Sequence, residues 1–121
     1  MDFNSGVCDL YSVGMESGAI SDVQISASSN KDDSFAASRA RLHAKKSGTV
    51  GIRQGGWSPF KDDFNQWLQV DLGTLTTVTR LATQGRDGSD EWVTKYTLQY
   101  SFDGVTYHDY RERGETSLKV R

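Results

Sequence analysis

The segment Asn65-Gln66-Trp67-Leu68-Gln69-Val70-Asp71-Leu72-Gly73 constrains the fold more than any other stretch of the chain. Leu68, Val70 and Leu72 alternate with Gln69 and Asp71, so the aliphatic side chains share one face and the polar ones the other. That is the period-two signature of a half-buried strand. Gly73 ends it. A strand with one apolar face must cover that face with other strands or helices, and the rest of the chain decides which.

Further short strands follow the same logic. Val23-Gln24-Ile25-Ser26-Ala27-Ser28-Ser29 alternates and breaks at the loop-forming cluster Asn30-Lys31-Asp32-Asp33-Ser34. Residues 78–84 read as a strand rich in β-branched bulk, ended by Gly85-Arg86-Asp87-Gly88-Ser89-Asp90. Residues 92–100 read as the longest strand, presenting Trp92, Thr94, Tyr96, Leu98 and Tyr100 on one face, and Asp103-Gly104 turns the chain into Val105-Thr106-Tyr107. Helix has little room. Residues 36–42 form at most a helical turn before the glycine-interrupted stretch that ends at Gly55-Gly56, which predicts a long exposed loop. Strands and loops with little helix predict an all-β, antiparallel sandwich or barrel, with Leu68, Val70, Leu72, Leu98 and Tyr100 among its buried residues.

A chain of 121 residues has room for one domain of ordinary size. Its formal net charge of -2 argues against nucleic acid as a partner, so any basic surface is local. No apolar run approaches the roughly 18 residues of a membrane span, and Met1-Asp2-Phe3-Asn4-Ser5-Gly6 lacks the regions of a signal peptide. The single Cys8 cannot form an internal disulfide, which by itself suits a reducing compartment. His43 and His108 are the only histidines, and neither stands in a metal or nucleophile motif, so no enzyme is expected.

With these segments in view, the chain resembles a discoidin domain, also called the coagulation factor V and VIII type C domain. The resemblance is carried by Gly14-Met15-Glu16-Ser17-Gly18-Ala19-Ile20-Ser21-Asp22, Gln24-Ile25-Ser26-Ala27-Ser28-Ser29, Ala40-Arg41-Leu42, the Trp67 strand, Thr83-Gln84-Gly85-Arg86, Glu91-Trp92-Val93-Thr94 and Tyr100-Ser101-Phe102-Asp103-Gly104, in the family's order. It implies a jelly-roll-like, galactose-binding-domain-like β-barrel or sandwich of about eight strands whose loops project as binding spikes. On this basis residues 1–7 are a lead and residues 8–121 the domain. Family members recognise phosphatidylserine membranes, glycans, collagen or other cell-surface proteins, nearly always outside the cell. The expected home is therefore secreted or on an ectodomain.

The resemblance also implies that strands usually follow the region of Lys119-Val120 and end in a cysteine bonded to the counterpart of Cys8. With Arg121 as the last residue, an open strand edge is expected, together with homo-oligomers through that edge or through Cys8, or low stability. A disulfide of this kind is typically worth about 2–5 kcal/mol.

Three loops map to the spikes: residues 30–37, 43–56 and 86–90. In the first, Asp32, Asp33 and Phe35 are candidate contacts. In the second, Lys45, Lys46 and Arg53 bracket Val50 and Ile52, the composition of a membrane-inserting spike; the bland alternative is that the aliphatics cover a local patch and the lysines solubilise. In the third, Arg86, Asp87 and Asp90 are candidates, and Arg86-Asp87-Gly88 is not an Arg-Gly-Asp integrin motif. Phe35, Arg86 and Asp87 together suit a glycan or a cell-surface or matrix protein, through aromatic stacking and charged hydrogen bonds. That is the first expectation; an anionic phospholipid membrane is the second. No cofactor is implied. Asp32-Asp33 and Asp62-Asp63 offer oxygens to calcium, but each pair falls short of the six to eight a calcium ion takes, so solvated loops are expected and no metal site is assigned. Trp57, Trp67 and Trp92 are assigned to framework packing, and Asp71 to a pair with Arg41.

Overall fold

Six short strands, in three antiparallel pairs, form the framework of the computed structural model, which describes the backbone of residues 2–5 and the whole of residues 13–110. They are β1 (Asp2–Ser5), β2 (Ile25–Ala27), β3 (Leu68–Val70), β4 (Val78–Ala82), β5 (Gln99–Tyr100) and β6 (His108–Asp109). β1 pairs with β4, β2 with β3, and β5 with β6. Three short 3-10 turns, Asp22–Gln24, Asp33–Phe35 and Ala37–Ala40, are the only helical elements among the described residues. The fold is all-β. Two compact units divide the chain, Met1–Glu91 and Trp92–Arg121.

In the first unit the core sits where the alternation of β3 meets β2. Ile25 opposes Val70 and Ala27 opposes Leu68. Ile25 joins Met15 and Ile20 as the buried cluster, with Leu68, Val70 and Leu72 packed against it. The pair is extended by a side chain. The Gln24 amide Nε2 donates to the Asp71 carbonyl at 2.8 Å, and its Oε1 accepts from the Ser21 backbone at 2.9 Å, so one glutamine ties the entry of β2 to the exit of β3.

In the second unit the ladder is shorter than alternation predicts. Residues 92–96 lie outside any strand, and among the described residues the ladder pairs Gln99 with Asp109 and Tyr100 with His108. The intervening turn is longer than a tight Asp103-Gly104 hairpin because Asp103 Oδ1 accepts from the backbone N–H groups of Val105 and Thr106, at 2.8 and 2.9 Å, and so winds the chain into a wider loop. Strand pairing therefore resumes at His108.

Several expectations need correction. Tyr100 is 48% exposed and not a core residue, its ring resting against Phe102 edge-on and against His108. Trp67 and Trp92, assigned to packing, are 50% and 66% exposed. Alternation places an indole on a face; it does not supply a partner layer for that face. Asp71 does not pair with Arg41. Its Oδ1 accepts from the Gly73 N–H at 2.8 Å, closing the local turn, and Arg41 bonds Asp22 at 2.6 Å. A carboxylate two residues before a glycine at φ +81° satisfies itself locally. Cys8, with the disulfide and the association expected through it, lies outside the described residues, as do residues 111–121.

Candidate functional site

Residues 30–37, 43–56 and 86–90 are brought together within the first unit. Backbone bonds start the assembly: Gln54 N–H donates to the Ser34 carbonyl at 2.8 Å, and Lys31 N–H to the Ser58 carbonyl at 2.8 Å. Side chains complete it. Asp87 accepts from the Lys46 N–H at 3.1 Å and faces the Lys45 ammonium at 3.6 Å. Gly55 is buried against this aspartate so closely that a Cβ there would meet the Asp87 Cβ at 2.5 Å. Only glycine permits that approach.

Phe35 stands at the centre of the junction. It is 7% exposed, with the Lys31 ammonium and the Arg86 guanidinium each 5.4 Å from its ring centroid. Both lie within cation–π range. Phe35, expected among the ligand contacts, thus has its ring turned to the loops themselves. Arg86 is similarly engaged, its Nε donating to Glu91 Oε2 at 2.8 Å and its Nη1 to Gln54 Oε1 at 3.3 Å. The hydrogen bond from Arg86 holds the Glu91 carboxyl below the usual glutamate value and raises the guanidinium further above its own. Both partners stay charged.

In the first loop, Asp32 caps its own turn, accepting from the Ser34 N–H at 2.8 Å and from the Ser34 hydroxyl. Those bonds, the hydroxyl's first, hold its carboxyl below the ordinary aspartate value. Asp32 thus acts within the loop. Asp33 and Asp90 are exposed. Among the described residues no group of three or more His, Cys, Asp or Glu side chains is placed to hold a metal ion.

The second loop is a small hairpin. Ser47 and Arg53 exchange two backbone hydrogen bonds, each 2.8 Å, and between them the chain reverses through Gly48 at φ +88° and Gly51 at φ +71°. Val50 lies at the tip, 95% exposed, with Ile52 exposed beside it. Lys45, Lys46 and Arg53 are exposed around the stem. The apolar tip and the basic stem are ordered by backbone bonds and need no partner to take shape.

Sequence reasoning missed Lys31, Gln54 and Gly55 as the residues that join the loops. Lys31 bonds Ser58, Gln54 bonds Ser34 and Arg86, and Gly55 meets Asp87, long-range contacts that reach 32 residues for Gln54 to Arg86 with no periodicity to announce them. Trp57 fits its framework assignment, its indole N–H donating to the Ser29 carbonyl at 2.9 Å.

An all-β domain that joins its loops by their own side chains, and presents an ordered apolar tip on one of them, defines a class of domain that offers loops to its surroundings. The sequence profile of the F5/8 type C domain matches residues 24–120, and the chain belongs to that family, whose fold is a β-sandwich. It is also similar to coagulation factor V of Sus scrofa, 39% identical over 114 residues, covering 89% of this chain and 5% of that protein. The chain thus spans a small part of the relative's length.

Proposed function

We propose that this chain is a non-catalytic extracellular recognition module that docks on anionic phospholipid through the hairpin at residues 47–53. The observation that carries the reading is Val50, held 95% exposed on a backbone-bonded tip above Lys45, Lys46 and Arg53. Val23 and Phe64 are as exposed as Val50; what distinguishes Val50 is its place beside Ile52 on a backbone-bonded tip with three basic residues around the stem, a combination that an anionic membrane interface rewards. Full burial of Val50 and Ile52 contributes about 1.5–3 kcal/mol each, and each basic residue near an anionic surface about 1 kcal/mol. The gross gain, roughly 6–9 kcal/mol, limits Kd to about micromolar at best; the Ser47–Arg53 pairing meets part of the ordering cost, and what remains moves the affinity toward millimolar.

The glycan or protein reading has weaker support. It relied on Phe35, Arg86 and Asp87, and these are engaged with one another's loops. Family membership and the likeness to a coagulation factor support an extracellular binding role for either ligand class.

Sedimentation with vesicles of phosphatidylcholine, with and without phosphatidylserine, tests the proposal. Binding is expected only with the anionic lipid. Val50→Asp should weaken it at least tenfold, and Lys46→Glu several-fold, at unchanged melting temperature. Lys46 is the better charge to reverse, since Lys45→Glu would set a second carboxylate beside Asp87. Protein that ignores anionic vesicles at low salt, or a Val50→Asp variant that binds like the parent, sinks the membrane reading and returns the glycan or protein reading to first place.

A further inference from the structure

Asp22, Asp33, Ala36, Ser38, Arg39, Arg41 and Arg53 line a cavity of about 410 Å³. Only Arg53 is shared with the proposed membrane-docking hairpin. The cavity volume suits a small ligand. Two of its arginines are fixed in place: Arg39 donates through Nε to the Gln54 carbonyl at 2.6 Å and through Nη2 to the Lys45 carbonyl at 2.7 Å, while Arg41 donates through Nη1 to the Met15 carbonyl at 2.9 Å and through Nη2 to Asp22 at 2.6 Å. Each guanidinium keeps donors to spare, since five N–H groups exceed the bonds made. The Arg53 guanidinium and the Ser38 hydroxyl have no partner among the described residues.

We infer that this cavity is an oxyanion site, taking the phosphate or sulfate group of a small ligand on Arg53, Ser38 and the unused edges of Arg39 and Arg41. Carbonyl-anchored guanidiniums are held in position before the anion arrives, so little side-chain entropy is lost on binding. A tetrahedral oxyanion accepts forked N–H bonds from guanidinium, where a halide offers no such match. The charge balance favours one anion: three guanidiniums face two carboxylates, and Asp22 is already bonded to Arg41. Asp33, exposed on the lining, opposes the anion and sets the affinity below what three arginines alone would give.

The site is tested apart from the membrane reading by titrating the full chain with inorganic phosphate and with inorganic sulfate, without vesicles, while following the arginine Nε–Hε NMR signals. Saturable shifts are expected for Arg53, Arg39 and Arg41, with none in sodium chloride of matched ionic strength. Arg53→Ala should weaken binding about tenfold, as loss of a charge-assisted bond implies, and Arg53→Lys should restore part of it. Asp33→Asn should tighten binding several-fold, a gain that a merely structural role for these residues would not produce. Competition by phosphatidylglycerol vesicles would identify a lipid headgroup as the source of the anion; binding of free sulfate without such competition would identify a soluble ligand. Shifts that fail to saturate, that sodium chloride reproduces, or that survive Arg53→Ala unchanged would overturn the inference, whatever becomes of Val50 at the membrane.

Discussion

Phe35 illustrates how one side chain can look like a ligand platform in sequence and act as a joint in space. An aromatic among acidic and small loop residues invites stacking with a sugar, yet Lys31 of its own loop and Arg86 of a neighbouring one reach its ring first. The two roles predict different measurements. As a joint at 7% exposure, Phe35 contributes buried area and cation–π contacts, so Phe35→Ala should lower the melting temperature by at least about 5 °C, the effect of roughly 1 kcal/mol in a domain of this size. A platform residue would leave the melt unchanged and remove binding alone. Thermal unfolding by circular dichroism separates the two, with Phe35→Leu expected to fall between the parent and the alanine variant.

At the scale of the element, the hairpin at residues 47–53 depends on two glycines for different reasons. A Cβ on Gly48 would lie 2.9 Å from the Gly51 carbonyl oxygen, at a φ of +88° that side chains resist; a Cβ on Gly51 would meet nothing within 4 Å, so only its φ of +71° matters. Gly48→Ala should therefore distort the tip and weaken vesicle binding, and Gly51→Asn should be tolerated, because asparagine enters the left-handed region more readily than most residues. The readout is vesicle sedimentation alongside the melt. Equal binding by both variants would show that the tip's shape is irrelevant. This element was half legible in sequence. Glycine spacing announced an exposed loop, and the basic and aliphatic residues announced its chemistry, but the pairing of Ser47 with Arg53 is a consequence of geometry that glycines permit without specifying. β3 was legible because alternation against a core is a local property of the chain. Residues 92–96 alternate as a strand would but lie outside any strand, because alternation sets which side chains share a face and does not by itself make a ladder.

Over the whole molecule, the all-β class followed from short alternating runs and turn chemistry, while the joining of loops through Lys31, Gln54 and Gly55 did not, being set by long-range packing. Electrostatics acts at this scale too. Asp32, Asp63, Glu91 and Asp103 are all held below their ordinary values: Asp32 chiefly by the Ser34 hydroxyl, Asp63 by the Gln66 side chain, Glu91 by Arg86 and Asp103 by the Thr106 N–H. A carboxylate whose pKa is depressed on folding binds fewer protons than the unfolded chain does, so its stabilisation is fully present above the unfolded value. It is lost as pH falls through the folded one. The unfolded reference is 3.8 for the aspartates and 4.5 for Glu91, which puts the whole transition in acid. The melting temperature should therefore stay level, as far as these groups are concerned, from pH 8 to about 5 and fall below about 4, with each fully exposed carboxylate contributing little and the group acting together. Asp32→Asn should shallow the acid limb, since its amide cannot gain charge with rising pH. Differential scanning calorimetry from pH 8 to 3 checks the sign. A melt that weakens mainly between pH 7 and 5, where histidine ordinarily titrates, would place the controlling group elsewhere and refute the carboxylate account.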